Sequence, residues 1–152
     1  MNPQNEDLRN RTKYFALPII KLYSSLPRVA VAQTLGKQLL RSGTSVGANY
    51  REACRARSNA EFVSKLGESL KELEETSYWL ELLADSATVR PERLKLLSGE
   101  TSQLIAIFTS ISKKVRGRQI SSLIRQPFRQ HLFSALGSFL ELPGLSRPMR
   151  PQ

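Results

Sequence analysis

SNAEFVSKLGESLKELEETSYWLELLA, residues 58–84, sets the architecture. Val63, Leu66, Leu70, Leu73, Ser77, Leu80 and Ala84 recur at alternating spacings of three and four. That period gathers them into one stripe of an α-helix, the stripe that packs against neighbouring helices. Ser58 and Glu61 open the stretch as a capping box, with a hydroxyl accepting from an orphan amide and a carboxylate reaching back. Glu61 and Lys65, one turn apart in the favourable order, are expected to pair. A helix with one apolar stripe cannot bury it alone, so its partners must come from elsewhere in the chain.

Two flanking stretches carry the same period. The first runs Leu8, Thr12, Phe15, Ile19, Leu22 and Leu26, and Pro27 stops it. Pro18 inside it removes a backbone donor and crowds the preceding turn, so a kink or a late start is expected. The last begins at Pro91, suited to a first helical turn, and runs Leu94, Leu97, Thr101, Leu104, Phe108, Ile111 and Val115, with Gly117 as its expected stop. Between them, Gln33 to Arg57 holds Gly36, Gly43 and Gly47. Each interior glycine costs roughly 1 kcal/mol relative to alanine but lets a neighbouring helix approach closely. One long helix is expected there, with Gly43–Gly47 the place where it would bend. The reading is all-α: an up-down antiparallel four-helix bundle over residues 1–117, with helices near 7–26, 30–57, 59–86 and 91–116.

At 152 residues with 40% hydrophobic content and a mean hydropathy of −0.31, the chain suits one domain with a modest core. No apolar run approaches the roughly 20 residues that cross a bilayer, and the mixed-charge start is no secretory signal, so a cytoplasmic location is expected. The single cysteine, Cys54, reads as a packed thiol without an internal disulfide partner. The single histidine, His131, cannot anchor a His-rich metal site. The glycines do not match a phosphate-binding loop. Glu61, Glu68, Glu72 and Glu75 lack the Glu-x-x-His element of a di-metal bundle and read as a solvated, partly ion-paired face beside Lys65 and Lys71. No cofactor, no metal and no enzymatic activity are expected.

Charge carries the functional signal. Lys and Arg number 23 against 13 Asp and Glu, for a net charge of +10, which favours polyanionic partners. Composition changes after Gly117: residues 118–152 hold five Arg, no Lys, one acid (Glu141) and four of the eight prolines. That segment reads as a disordered or weakly structured tail, with the apolar Leu132–Leu142 as its exception. On the second helix, Lys37, Arg41, Arg51 and Arg55 would share an arc of about 80° and span about 27 Å. Leu35, Leu39, Val46, Tyr50 and Ala53 lie opposite. This stripe is the candidate nucleic-acid-binding site for RNA or DNA. Glu52 beside it would pair with Arg55 or Lys37. The alternative is a solvated face, with the chain acting as a protein–protein interaction module whose charge is incidental. Tyr50, Tyr78 and Trp79 have no obvious place in a single bundle and point to a homo-oligomer.

The run Lys37-Gln38-Leu39-Leu40-Arg41-Ser42, then Ser45-Val46-Gly47-Ala48-Asn49-Tyr50-Arg51-Glu52-Ala53, is followed by Ser58-Asn59-Ala60-Glu61-Phe62 and by Glu68 to Thr76. Over roughly residues 7–116 these motifs resemble the four-helix-bundle proteins named for intervening sequences of 23S ribosomal RNA genes. The accessory variability determinants of diversity-generating retroelements belong to the same structural group. The resemblance implies a ring-shaped homopentamer. For the retroelement branch it implies a basic pentamer that binds nucleic acid and a reverse transcriptase; for the other branch it assigns no role. Asn49 and Glu52 match the family's Asn-x-x-Glu element, read as a structural pair tying helices together. Pro18 and the Arg/Pro tail depart from the pattern.

Overall fold

The computed structural model describes the backbone of residues 3–138 and the side chains of residues 7–118. Four helices follow one another: α1 (Pro3–Ser24), α2 (Ala30–Ala53), α3 (Asn59–Asp85) and α4 (Pro91–Ser138). Among the described residues there is no strand. The chain divides into two compact units, Met1–Arg116 and Gly117–Gln152. The first is the four-helix bundle. The expected tail lies outside the described residues, His131 and the Leu132–Leu142 side chains included, apart from Arg118 and the backbone of α4 as far as Ser138.

The core follows the predicted period. Leu8, Phe15, Ile19, Leu22 and Leu26 of the first stretch are buried, as are Leu66, Leu73, Leu80, Leu94, Leu97, Leu104 and Phe108 from α3 and α4. Thr12 and Thr101 hold core positions as expected, whereas Ser77 is only half-buried and its neighbour Thr76 takes the inner place. Hydroxyls also bridge helices: Ser69 Oγ donates to the Val46 carbonyl at 3.2 Å, and the Thr76 and Ser42 hydroxyls lie 2.9 Å apart. Such buried hydroxyls are tolerable because each finds a partner within one turn or on the facing helix.

α2 is one uninterrupted helix despite its glycines. A Cβ at Gly36 would come within 2.4 Å of Leu26 Cδ1, and one at Gly43 within 2.2 Å of Ile19 Cδ1. The glycines therefore trade helix propensity for close packing against α1, and burial of α1's apolar stripe offsets their cost.

Three local expectations are corrected. α1 does not start late at Pro18 but runs from Pro3 through it; Pro18 and Tyr14, whose carbonyl loses its donor, are both exposed, so water can replace that bond. α4 does not stop at Gly117, because a glycine weakens a helix without removing its N–H. α2 ends at Ala53, earlier than expected. Ser58 must be extended (φ −145°, ψ 160°) for its Oγ to accept from the Glu61 amide at 3.1 Å, so the chain leaves the helix before it.

Candidate nucleic-acid interface

The structure disperses the predicted basic stripe. Lys37 is exposed on α2 and makes no ion pair among the described residues. Arg41 reaches across to α3, where it pairs with Glu75 through Nη2 and lies 3.8 Å from Glu72 through Nη1. Arg51 turns toward α1: Nη1 donates to the Gly47 carbonyl at 2.9 Å and Nη2 to the Arg9 carbonyl at 3.2 Å. Arg55 lies beyond the end of α2, in the turn before α3, so it does not continue the helical face. One shared arc of four free cations does not form.

Glu52 finds a different partner from those expected. Lys65 Nζ of α3 sits 3.2 Å from Glu52 Oε2 and 3.3 Å from Glu68 Oε2. Hydrogen bonds to these two carboxylates hold the Lys65 ammonium above its usual pKa. Lys65 is thus not the partner of Glu61, whose Oε2 instead accepts from the Arg57 amide at 2.8 Å within the cap. Glu52 does tie α2 to α3; Asn49 is half-buried and its side chain forms no hydrogen bond among the described residues.

Aromatic placement is corrected in one case. Tyr50 is 1% exposed and stacks on Phe108 with ring centroids 5.1 Å apart, so it belongs to the core and burial raises its phenol pKa. Tyr78 remains 53% exposed, and Trp79 beside it is half-buried. Cys54 is half-buried against the core.

Charge is segregated by helix. Within residues 1–117, α3 carries seven of the twelve acidic residues and only two lysines, Lys65 and Lys71, for a net charge of −5. The rest of those 117 residues carries sixteen basic residues against five acidic, or +11. This pattern is present in the sequence but becomes visible only when charges are grouped by helix.

The up-down topology collects part of that excess at one end. Beyond the stacked Tyr50 and Phe108, one to two turns further along each segment, come Arg55 and Arg57 after α2 and Lys113, Lys114 and Arg116 on α4. All five are exposed, and none of their side chains makes an ion pair among the described residues. A reading confined to one helix missed this cluster because its two groups lie more than fifty positions apart. At the opposite end, Arg93 Nη2 lies 3.4 Å from Ser25 Oγ, close to Lys21.

Between α1 and α4 runs a groove of about 870 Å³. Tyr14 is 65% exposed in it and Leu96 88%. A fork from Arg11 crosses it: Nε donates to Glu100 Oε1 at 2.6 Å, and Nη2 donates to Glu100 Oε2 at 2.9 Å and to Gln103 at 2.8 Å. The Glu100 hydrogen bond raises the Arg11 pKa further. Among the described residues no group of carboxylates, thiols or imidazoles could hold a metal ion, and no helix is long and apolar enough to cross a membrane.

Residues 4–110 match the family model for the 23S rRNA-intervening sequence protein. A solved structure from Bacteroides thetaiotaomicron VPI-5482, a protein of unknown function from the S23 ribosomal protein family, is 38% identical. The likeness covers 72% of this chain and 97% of that one, with a TM-score of 0.67. No curated protein matches. With its motifs, its four helices and this match over most of its length in agreement, the chain belongs to the 23S rRNA-intervening sequence protein family.

Proposed function

We propose that the protein is a non-enzymatic, cytoplasmic, self-associating adaptor that binds RNA or DNA through the basic end of its bundle. The observation that carries this reading is the exposed cluster Arg55, Arg57, Lys113, Lys114 and Arg116, whose side chains make no ion pair among the described residues, set against an acidic load gathered on α3. Cations of this kind recognise the spacing of phosphates and not base sequence, so RNA and DNA of equal length should bind alike. Lys37 lies about 20 Å back along α2 from Tyr50, away from this end; Arg41 and Arg51 are committed to Glu75 and to backbone carbonyls. A homopentamer and a reverse transcriptase partner rest on the family resemblance alone.

The test is a salt titration of the full chain with a single-stranded RNA and a single-stranded DNA of about thirty nucleotides. Replacing Arg55, Arg57 and Lys114 by glutamine should lower the log–log salt slope by about 0.7 for each phosphate that is no longer neutralised. Arg51→Gln should leave that slope unchanged. If the triple variant binds as tightly as the parent, the basic end is a solvated face. The protein is then an interaction module, a reading supported by the exposed Tyr14, Leu96 and Tyr78.

A further inference from the structure

The second unit of the chain, residues 117–152, lies outside the family model, which ends at residue 110. Its backbone continues α4 as far as Ser138. With about 100° between successive residues, Arg118, Arg125 and Arg129 hold register positions within an arc of about 40°. Serines and glutamines fill the rest of that half of the helix. Ile120, Leu123, Ile124, Pro127 and Phe128 hold the opposite side, within an arc of about 140°. The segregation lasts from Arg118 to His131, a length of about 20 Å. Leu132 and Leu136 then fall on the arginine side and end it. No acidic residue occurs from 118 to 140.

We infer that residues 118–131 are an interfacial helix for an anionic lipid bilayer, with the arginine arc at the headgroup phosphates and the apolar arc in the acyl boundary. This goes beyond nucleic-acid binding at the basic end of the bundle and does not depend on it. Phosphate is common to lipids and nucleic acids, and the apolar arc decides between them. A nucleic acid would neutralise the arginines and leave the apolar arc in water, whereas a bilayer surface takes up both arcs at once. A second copy of the same helix would cover the apolar arc but would bring arginine to arginine, with no acid before Glu141 to offset them. Pro127 deprives the Leu123 carbonyl of its helical donor. Such a helix suits the interface, where water is within reach, and not the hydrocarbon core, where that carbonyl would stay unsatisfied.

Co-sedimentation of the full chain with vesicles tests the assignment, with phosphatidylcholine alone set against phosphatidylcholine containing one third phosphatidylserine. Binding is expected only to the phosphatidylserine vesicles, and to weaken as salt is raised. Replacing Arg118, Arg125 and Arg129 by glutamine should weaken it about a hundredfold, at about fivefold for each arginine. Ile124→Ser and Phe128→Ser should each weaken it about tenfold. In Phe128→Trp, the emission added to that of Trp79 should shift to shorter wavelength when these vesicles are present. A parent that ignores phosphatidylserine vesicles overturns the inference and leaves nucleic-acid binding untouched. Vesicle binding that survives both serine substitutions is charge adhesion alone and overturns it as well. So does a chain that loses vesicle binding when Arg55, Arg57 and Lys114 become glutamine but keeps it in Phe128→Ser, since the bundle would then hold the lipid. Without vesicle binding, an RNA affinity that falls in the arginine variant assigns the arc to nucleic acid. An oligomer mass that falls in Phe128→Ser assigns the apolar arc to a second copy.

Discussion

Gly43 of α2 lies directly beneath Ile19 of α1, so close that a Cβ at position 43 would stand 2.2 Å from Ile19 Cδ1. Ile19 is fully buried, so its end cannot swing into solvent and must displace the surrounding core. Gly43→Ala should therefore destabilise by about 1–2 kcal/mol, since overpacking outweighs the gain in helix propensity. Gly99, with nothing within 4 Å of its added Cβ, serves as the control. Gly99→Ala should stabilise by about 0.5–1 kcal/mol. Urea midpoints of the two variants should move in opposite directions.

Arg51 acts as a brace between α1 and α2, not as a phosphate ligand. Its two Nη atoms hold carbonyls of Gly47 and Arg9. A lysine cannot reproduce that fork. Arg51→Lys, which keeps the charge, should cost about 1–2 kcal/mol of stability, measured by chemical denaturation, with nucleic-acid affinity unchanged under conditions where both proteins are folded.

Ala87, in the turn after α3, has φ +52°. In this left-handed region a Cβ crowds the following carbonyl, a strain of roughly 1–2 kcal/mol that glycine lacks. Ala87→Gly should raise stability by about 1 kcal/mol even though glycine loses more chain entropy on folding. A fall in melting temperature would show that the turn has another conformation.

Glu72 predicts a pH dependence. Burial, followed by the charge of Glu75, holds its carboxyl above the usual carboxylate range, against the opposing pull of Arg41 and Lys71. A carboxyl with a raised folded pKa stabilises the fold while protonated; that contribution is full below the unfolded pKa and lost as pH rises through the folded one. Glu72→Gln should therefore be more stable than the parent at neutral pH. The advantage should shrink as pH falls through the carboxylate range. Paired denaturation curves at pH 7 and pH 4 measure the difference.

The four helices and the faces they bury were legible in the order of the residues alone. Spacings of three and four in α1, α3 and α4 encode one stripe each, and hydrophobic burial acts on that stripe whatever the partner. The Ser58–Glu61 cap was equally plain, because capping joins groups within four residues. The glycines of α2 could be read as permission for close approach, but it is packing against Ile19 and Leu26 that keeps the helix whole.

Cation partners belonged to the assembled bundle. Arg41, Arg51 and Lys65 are long enough to choose among acceptors on three helices, and their choice depends on which carboxylates and carbonyls the topology brings within 4 Å. Helical spacing alone placed Arg41 and Arg51 on a solvent face, whereas the fold gave them Glu75 and the Arg9 carbonyl. The turn at Cys54–Ser58 likewise removed Arg55 from the helix. Burial patterns are local and survive in the sequence; charge pairing is set by distances between segments, which the packed helices alone fix.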